Sequence, residues 1–588
     1  MEIHQSASSA DQRISESLLS ASDQTRAAGA GPHRRCTGSG IFGPLIACLS
    51  PAHRLAHAAA ASCCMPRRLA LVTLLALVTA GPLLAQAIPP STVRPQVDAW
   101  RRAHEREILD DAFALLALPN VASDSAGIAR NIDWLTSAFA KRGVTLSAVR
   151  APTGGNAALI GRLDAPGASR TVVFYAHYDG QPVAGGGWDG DPFAPELRRY
   201  RNSVAGDAVP LPARGDTVDP EVRIRARSAS DDKGPIIAML AALDALKANR
   251  LAPSVNILFF LEGEEEAGSN HLGDLLRANK GRLAADAWLF FDGPMHASGA
   301  PQIVLGVRGV VGADITFYGP NRPLHSGHYG NWAPNPAVAA AHFIASIRDM
   351  DGRALIAGFY DDVPAISDAD RASARALSTT DDSVRRSLGL ARTEAGNAAL
   401  GERIMVPAVN IRGIRAGNTG GGAANAVPTS ASVSIDFRLV PDQKPARIRE
   451  LLTAHLQKLG YTLATSADAA ARSTDRSRLA WVTWDSGYTS VRVPASLPVV
   501  GAVRRLSARA YGREPFILPI LGGSLPLFHF VEALDATVIT VPIVNADNSQ
   551  HAPNENLRLR NLWDGIALMA ELMTGLGKEW PGAGRVTP

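Results

Sequence analysis

A dense group of carboxylates ends one apolar stretch of the sequence. Residues 258–269 read LFFLEGEEEAGS, so that β-forming apolar residues are followed at once by Glu262, Glu264, Glu265 and Glu266. Carboxylates gathered at one point are costly in free energy unless solvent or a cation neutralises them. A run of charges is often only a solvated loop, and that alternative stays open for this stretch taken alone.

Two other apolar stretches also end in side chains that can bind a metal or carry a proton. Residues 171–176 run into His177 and Asp179, and residues 287–291 run into Asp292. Continuous apolar runs without alternation are typical of strands covered on both faces, as in a parallel sheet. Open parallel sheets place their sites at the carboxyl ends of strands. The sequence therefore predicts that these polar side chains meet at one sheet edge.

The elements that must position these residues form an α/β pattern. A helical apolar stripe at 233–249 lies between the first two strands and gives a β–α–β unit. Apolar and polar residues alternate imperfectly at 310–318 and cleanly at 431–440, which favours a smaller α+β layer with one solvated sheet face. We predict a mostly parallel-sheet catalytic domain in two parts, 88–306 and 491–588, with a lid domain inserted at 307–490.

Composition limits the classes of function. The 588 residues are 46% hydrophobic and 19% charged, with a net charge of +4, as in an ordinary globular protein. No stripe of Lys and Arg interleaved with aromatics supports nucleic-acid binding. The four cysteines all precede residue 65: Cys36, Cys48, Cys63 and Cys64. A chain that began near Ile88 would have neither a cysteine nucleophile nor a thiolate metal site.

The segment 65–87 has the features of a secretory signal peptide. A basic Arg67–Arg68 pair precedes an apolar stretch at 69–80 and a small-x-small site at 85–87. We expect translation to begin at Met65, residues 1–64 to be a non-native extension, and the mature protein to be periplasmic or secreted without a stable membrane anchor. The alternative is an internal membrane helix, but such a helix needs roughly 20 apolar residues and the apolar stretch at 69–80 is shorter.

The mixture of imidazoles and carboxylates is typical of a particular group of metals. His and carboxylate together suit Zn²⁺ or a similar first-row ion, whereas an all-oxygen set would indicate Mg²⁺ or Ca²⁺. The candidates, which include Asp231 and Asp232, are numerous enough for two ions. In two-metal hydrolases the ions lie about 3.5–4 Å apart.

Four motifs in a fixed order resemble the M20 family of metallopeptidases, and in particular its dipeptidase branch, which includes the carnosine dipeptidases. They are HYDGQP from His177, SDDKG from Ser230, EGEEEAGS from Glu262 and SQHAPNENL from Ser549. Secondary matches lie at 188–193, 324–327, 437–441 and 522–526, and the resemblance extends over about 97–572. It implies hydrolysis of the amide bond in dipeptides or short peptides.

The resemblance implies a set of ligands for two divalent ions. Asp231 would bridge the ions, His177 and Asp292 would complete one, and Glu266 and His551 would complete the other. Zn²⁺ is the expected ion, with Mn²⁺ or Co²⁺ as alternatives. Since these ligands come from distant parts of the sequence, the chain must fold to assemble them.

The resemblance also implies roles for residues that do not bind metal. Glu265 matches the general base, which takes a proton from water and returns it to the leaving amine. Asp179 matches the acid that orients the ligating imidazole through its other ring nitrogen.

Further matches concern the lid and the substrate. His325 matches the lid histidine, which stabilises the oxyanion and often comes from the partner subunit of a homodimer formed through the lid. Arg438, Gly523 and Ser524 fall where relatives hold the substrate's carboxylate, a task that suits a bidentate guanidinium.

Departures from the family pattern leave other functions open. Ala226-Arg227-Ser228 replaces the usual Gly-Arg-Gly, so we expect this loop to be less free to take positive φ. Residues 200–222 are predicted to form an added loop at the site mouth. Leu521 stands where the carnosine-dipeptidase type has an acid, which favours as an alternative an amidohydrolase of N-acyl or N-carbamoyl amino acids. A third alternative is a ligand-binding homologue without catalysis.

Overall fold

The computed structural model describes residues 88–183, 186–201, 204–523 and 525–580. The predicted extension 1–64, the predicted signal peptide 65–87 and the candidate residue Ser524 lie outside the described residues. Within the described ranges, no helix combines the length and the apolar character needed to cross a membrane.

The helices are spread along the whole described chain. Their bounds are α1 (Arg94–Ala103), α2 (Glu105–Leu116), α3 (Ser125–Ala140), α4 (Lys233–Ala248), α5 (Leu272–Ala278), α6 (Ser326–Tyr329), α7 (Pro336–Ile347), α8 (Asp368–Leu377), α9 (Asp381–Ser387), α10 (Leu400–Ile404), α11 (Pro445–Lys458), α12 (Ala467–Arg472), α13 (Pro498–Tyr511), α14 (Leu527–Leu534) and α15 (Leu559–Glu579).

The strands belong to two main sheets and three smaller ones. Their bounds are β1 (Leu146–Ala151), β2 (Gly154–Leu163), β3 (Thr171–His177), β4 (Glu196–Arg201), β5 (Val204–Val209), β6 (Arg223–Arg225), β7 (Asn256–Glu262), β8 (Ala287–Phe290), β9 (Gln302–Val304), β10 (Gly306–Val307), β11 (Gly309–Tyr318), β12 (Leu324–His325), β13 (Ala408–Arg415), β14 (Ala426–Val427), β15 (Ser430–Leu439), β16 (Thr462–Leu463), β17 (Leu479–Trp484), β18 (Val491–Arg492), β19 (Phe516–Leu518), β20 (Val538–Thr540) and β21 (Asn556–Arg558).

The larger main sheet has the strand order β1-β2-β7-β3-β8-β20-β9-β19. Its central strands β7, β3, β8 and β20 run parallel, whereas β1, β2 and the β20–β9 pair are antiparallel. The sheet is therefore mixed, with its parallel strands at the centre, and the predicted α/β class is confirmed. The three apolar stretches that end in acidic or imidazole side chains form β7, β3 and β8.

Both faces of this sheet are buried, as the continuous apolar runs predicted. Along β3, Val172 and Phe174 belong to the core on one face, while Val173 and Tyr175 belong to the core on the other. Helices α4, α13 and α15 contribute to the first core, and α5 and α14 contribute to the second. Alternate side chains of a strand point to opposite faces. A strand that is buried on both faces therefore has no solvent-facing side, and its sequence shows no alternation of apolar and polar residues.

The other main sheet has the order β13-β15-β11-β17-β16 and its own core. Along β15, buried residues alternate with partly exposed ones, and α7 and α11 pack on the buried face. This arrangement is the inserted α+β layer of the predicted fold class. The boundaries 88–306, 307–490 and 491–588 stay predictions.

Strand register brings the ends of the central strands to one place. In the parallel β3–β7 pair, His177 lies opposite Glu262, and in the β3–β8 pair Tyr175 lies opposite Phe290. The residues that follow these pairs therefore leave the sheet side by side. At the same edge, β21 pairs antiparallel with β6, which brings the segment before Asn556 against the segment that follows Arg225.

Three local features complete this description. Before residue 141 the described chain has three helices, and a break at His104 separates α1 from α2. Within the stretch 200–222, which was predicted to be a loop, β5 (Val204–Val209) pairs antiparallel with β4 (Glu196–Arg201), and β4 extends the small sheet of β6 and β21. The stretch at about 370–400 forms a series of short helices.

Candidate metal centre

Two imidazoles meet one buried carboxylate at the edge of the large sheet. Nε2 of His177 lies 2.9 Å from Oδ1 of Asp231, and Nε2 of His551 lies 3.0 Å from Oδ2 of the same residue. His177 is fully buried, Asp231 is 3% exposed, and the side chain of His551 is about half exposed. Asp231 therefore stands between the two histidines, with one oxygen toward each.

Three further carboxylates complete the cluster. Oε2 of Glu266 lies 3.4 Å from Nε2 of His551, and Oε2 of Glu265 lies 4.0 Å from Nε2 of His177. Possible ligand atoms lie within 4.8 Å of one another in two groups that share His177; the groups are His177 with Asp231 and Glu266, and His177 with Glu265 and Asp292. The fold thus brings together all five residues that the sequence predicts as metal ligands, together with Glu265.

The cluster carries more negative charge than its imidazoles neutralise. Burial and the nearby Asp231 raise the pKa of Glu266 to about 7 and that of Asp292 to about 6. Burial also raises the pKa of Glu265 well above its ordinary value. Burial alone would lower the pKa of His177, but hydrogen bonds with Asp179 and Asp231 raise it well above its ordinary value. A cation would relieve the repulsion, and this imidazole–carboxylate set suits Zn²⁺ or a similar first-row ion.

Asp179 positions both the imidazole and the acidic turn. Its Oδ1 and its backbone oxygen lie 3.5 Å and 3.2 Å from Nδ1 of His177. Its two carboxylate oxygens accept hydrogen bonds from the backbone N–H groups of Glu265 (3.1 Å) and Glu266 (3.0 Å). One fully buried carboxylate therefore orients an imidazole and fixes the main chain that carries the two glutamates.

The acidic turn has a definite conformation. Residues Glu265–Ala267 form a 3₁₀ turn that ends at Gly268, whose φ of 90° lies in the left-handed region that favours glycine. Glu262, on the strand before the turn, accepts hydrogen bonds from the hydroxyls of Tyr175 (2.8 Å) and Ser269 (2.6 Å). The buried Glu262 therefore anchors both ends of the turn, a role that the sequence did not reveal.

The remaining glutamate of the stretch, Glu264, has a partner outside the predicted metal ligands. Glu264 lies 2.8 Å from Nδ1 of His271, a histidine that matches no ligand position. This contact separates Glu264 in function from Glu265 and Glu266, although the three are consecutive. The solvated-loop alternative does not hold for Glu262, which is 3% exposed.

Glu555 is an important residue that sequence reasoning missed. This fully buried carboxylate accepts hydrogen bonds from the backbone N–H groups of Ser228 (2.9 Å), Ser230 (3.0 Å) and Asp231 (3.0 Å). It also accepts from Nη1 of Arg227 (2.8 Å) and from Oγ of Ser230 (2.9 Å). Its position four residues after His551, within a motif that supplies a ligand, was the available signal.

The loop before Asp231 takes the conformation that its sequence was expected to hinder. Ser228 has a φ of 61°, so the absence of glycine does not prevent a left-handed residue there. Asn120 donates through Nδ2 to the carbonyl of Tyr178 (2.9 Å) and to Oγ of Ser228 (3.0 Å), which ties this loop to the end of β3. The expectation that the serine restricts this loop was wrong, because side-chain hydrogen bonds hold the strained residue in place.

The predicted substrate residues that the structure describes are His325, Arg438 and Gly523, and Ser524 lies outside the described residues. His325 is exposed, and its Nδ1 accepts a hydrogen bond from the N–H of Gly327 at 3.1 Å. In the described ranges it makes no ion pair with the acidic cluster. Arg438 donates through Nε to Asp436 at 2.7 Å, and Gly523 is exposed. Their predicted roles, like those of the ligands, stay predictions.

An α/β sheet with an inserted α+β layer and a buried imidazole–carboxylate cluster at the strand ends defines a metal-dependent hydrolase. The sequence profile described as Peptidase family M20/M25/M40 matches residues 173–575. The chain belongs to this family and is a hydrolase of peptide bonds of the M20 metallopeptidase type. The resemblance deduced from the four motifs is confirmed.

Individual relatives agree with this membership. The chain is 27% identical over 419 residues to the Cys-Gly metallodipeptidase dug1 of Schizosaccharomyces pombe, covering 70% of this chain and 81% of that protein. It is 25% identical over 411 residues to the human Beta-Ala-His dipeptidase, covering 68% and 73%. Among solved structures, the M20 family metallo-carboxypeptidase Sso-CP2 from Sulfolobus solfataricus gives a TM-score of 0.62 at 28% identity, covering 80% of this chain and 99% of that one. Human carnosine dipeptidase 1 shares the fold, with a TM-score of 0.61 at 21% identity and coverage of 83% and 100%.

Proposed function

We propose that the protein is a periplasmic or secreted di-metal hydrolase that cleaves the amide bond of dipeptides or short peptides. The observation that carries this proposal is the position of Asp231 between His177 and His551, with Glu266 and Asp292 beside them. The relatives named as dipeptidases support the substrate class.

Five residues would bind the two ions. Asp231 would hold both ions, His177 and Asp292 would complete the site of one ion, and Glu266 and His551 that of the other. When bound, the divalent ions, for which Zn²⁺ is the expected identity and Mn²⁺ or Co²⁺ are alternatives, supply Lewis acidity toward the scissile carbonyl and toward water.

Proton transfer is assigned to Glu265. Its carboxylate takes a proton from the attacking water and returns it to the nitrogen of the leaving amine. Because burial raises the pKa of Glu265, its carboxyl group has a high proton affinity for this transfer. Asp179 keeps Glu265 in place through the backbone hydrogen bond at 3.1 Å and orients His177 through Nδ1.

Substrate binding is assigned to the lid and to a turn of the catalytic part. Arg438 would pair with the substrate's terminal carboxylate together with the turn at Gly523 and Ser524. His325 would stabilise the oxyanion and, since it is exposed on the lid, would reach the site of the partner subunit in a homodimer.

The test compares two neighbouring glutamates. We expect Glu265→Gln to retain bound metal and lose turnover by several orders of magnitude, because the amide cannot accept the proton. Glu264→Gln is the matched control, since Glu264 pairs with His271 and has no part in the chemistry. Metal content is measured by elemental analysis and turnover with a dipeptide panel. Full activity in Glu265→Gln would disprove the assignment of the base.

Leu521 favours a second candidate function, the removal of acyl or carbamoyl groups from amino acids. Its side chain contributes a half-buried apolar surface beside Gly522 and Gly523 and supplies no charge for a substrate amine. Matched substrates with and without a free α-amine distinguish the two functions. Turnover of N-acylated substrates alone would replace the peptidase proposal with the amidohydrolase.

A further inference from the structure

A cleft of about 500 Å³ lies beside the acidic turn. Glu265, the assigned base, lines this cleft together with residues 268–270 at the end of the turn. Two further segments complete the lining, one with Tyr488, which follows β17, and one with Phe528, which belongs to α14. The side chain of Glu265 is only 14% exposed. A molecule that occupies this aromatic cleft therefore lies beside the group assigned to proton transfer.

Two aromatic rings form a wall of the aromatic cleft. The rings of Tyr488 and Phe528 are stacked, with centroids 4.8 Å apart and planes that differ by 5°. Both side chains are partly buried, and Phe528 also packs against the ring of His529 at a centroid distance of 3.9 Å. Leu525 and Pro526 add further apolar groups to the lining. The cleft therefore offers an apolar and largely aromatic surface to a ligand.

The main chain holds both rings in place. The N–H of Tyr488 donates to the carbonyl of Val310 at 2.9 Å, and the N–H of Val310 donates to the carbonyl of Tyr488 at 3.1 Å. Gly487 has a φ of 64°, and a Cβ placed on it would lie only 2.8 Å from the carbonyl oxygen of Val310, so this close pairing requires glycine. Phe528 is the second residue of helix α14. The cleft is therefore formed before a ligand binds, as is usual for small-molecule sites.

The aromatic cleft offers no positive charge to a ligand. Of the described residues that line it, none is an arginine or a lysine, and Glu265 is the one carboxylate. His529 is uncharged at neutral pH, because burial and the nearby Arg277 lower its pKa to about 4. An acidic side chain would meet Glu265 without a counter-charge. An aromatic side chain would instead bury apolar area against the two rings.

We propose that Tyr488 and Phe528 determine specificity by binding an aromatic side chain on the C-terminal residue of the substrate. This inference rests on the proposed function, in which Glu265 returns a proton to the nitrogen of the leaving amine. That nitrogen is bonded to the Cα that carries the C-terminal side chain, so this side chain lies close to Glu265 and within reach of the cleft. The preferred substrates are dipeptides that end in Phe or Tyr.

The kinetic test compares dipeptides that differ in the C-terminal residue. The kcat/KM of the metal-loaded enzyme is measured for Ala-Phe, Ala-Ala and Ala-cyclohexylalanine, whose ring is similar in size to that of Ala-Phe but is not aromatic. We expect a preference for Ala-Phe of about 10- to 100-fold over Ala-Ala, from burial of the ring, and of about 2- to 10-fold over Ala-cyclohexylalanine, from the aromatic contact. Equal values for Ala-Phe and either of the others would overturn the inference, and so would a higher value for Ala-Glu.

Four variants distinguish ring binding from a structural role. Phe528→Leu and Tyr488→Leu each remove one ring and keep an apolar side chain. They should raise KM for Ala-Phe about 3- to 10-fold more than KM for Ala-Ala, without a matching fall in kcat. Tyr488→Phe keeps the ring and should keep the preference for Ala-Phe. Phe516→Leu is the matched control, because Phe516 packs against His296 at a centroid distance of 4.8 Å and does not line the cleft. An equal loss for both substrates in the two leucine variants would indicate a structural role and overturn the inference.

A dipeptide of reversed sequence tests which side chain occupies the aromatic cleft. Ala-Phe should be hydrolysed with a higher kcat/KM than Phe-Ala, and Phe528→Leu should reduce this difference. A preference for Phe-Ala that depends on Phe528 would place the N-terminal side chain in the cleft and overturn the assignment.

Binding of the free product separates this inference from the proposed function. Calorimetry on the metal-loaded wild-type protein should show tighter binding of L-phenylalanine than of L-alanine, and Phe528→Leu should reduce the difference. If no dipeptide is hydrolysed but L-phenylalanine is preferred through Phe528, the proposed function fails and the subsite stands. If dipeptides are hydrolysed and the two amino acids bind equally, the proposed function stands and the subsite fails.

Discussion

Replacing Glu555 with glutamine tests how the loop that carries Asp231 is held. An amide has one acceptor oxygen, which can keep the N–H groups of Ser230 and Asp231 that now bond to Oε1. Its NH₂ group then faces Arg227 and the N–H of Ser228, which now bond to Oε2. Two donors lose their acceptor, and a buried guanidinium loses its counter-charge.

The expected loss can be estimated from this geometry. The Arg227–Glu555 pair is almost completely buried, with side chains 3% and 0% exposed. Breaking such a pair by removing one partner costs about 3–5 kcal/mol, because the other charge stays buried without compensation. Relief of the repulsion between Glu555 and Asp231 offsets part of this cost. We therefore expect the free energy of unfolding to fall by about 3 kcal/mol, toward the lower end of this range.

Metal affinity should fall together with stability. Because Glu555 fixes the backbone of Asp231 without touching its carboxylate, its loss allows the bridging ligand to move, and residues that orient ligands typically contribute about 10- to 100-fold in affinity. Urea unfolding gives the first quantity, and competition with a chromophoric chelator gives the second. Glu221→Gln, at an exposed ion pair with Arg560, is the matched control and should cost less than about 1 kcal/mol. An unfolding free energy within 1 kcal/mol of wild type and an unchanged metal affinity would refute the reasoning.

Three other outcomes are expected. In the metal-free protein the pKa of Glu266 is raised from 4.5 to about 7 and that of Asp292 from 3.8 to about 6, so the folded state holds more protons than the unfolded state. The free energy of unfolding of the metal-free protein should fall as the pH rises from about 4 to 7, and Zn²⁺ should reverse this trend. Urea titrations at each pH measure both effects. A free energy of unfolding that does not change with pH would contradict this expectation. Asp179→Asn should weaken metal binding by about 10- to 100-fold in chelator competition, and unchanged affinity would exclude its orienting role. His325→Ala should lower kcat by about 10²- to 10³-fold without loss of metal. If two subunits share a site, mixed dimers of His325→Ala and Glu265→Gln should regain activity. The absence of restored activity would place each site within one chain.

The sequence by itself determined the class of the fold and the residues of the candidate centre. Apolar runs without polar alternation predicted strands buried on both faces, and β3 has this environment. The rule that strand ends carry the site then selected His177, Asp292 and the glutamates. The prediction of the fold class is confirmed because burial and strand direction leave a local pattern in the sequence, whereas the roles of the site residues stay predictions.

Only the tertiary structure showed that the four glutamates of the stretch have different partners. Glu262, Glu264, Glu265 and Glu266 are alike in composition, and only the 3₁₀ turn after β7 directs them to different partners. Glu262 bonds to Tyr175, Glu264 pairs with His271, and Glu265 and Glu266 lie in the imidazole–carboxylate cluster. The conformation of the turn depends on hydrogen bonds to residues outside it, such as those from the backbone of Glu265 and Glu266 to Asp179. The sequence of the turn does not reveal these distant partners.

The supports of the site were also decided by the fold alone. Glu555 accepts a hydrogen bond from the N–H of Ser228, although the two residues are 327 positions apart in the sequence. The pairing of β21 with β6 brings these two residues together. Their hydrogen bonds and charges depend on distances that exist only once the chain has folded, because nothing in the neighbouring sequence specifies a partner so far away.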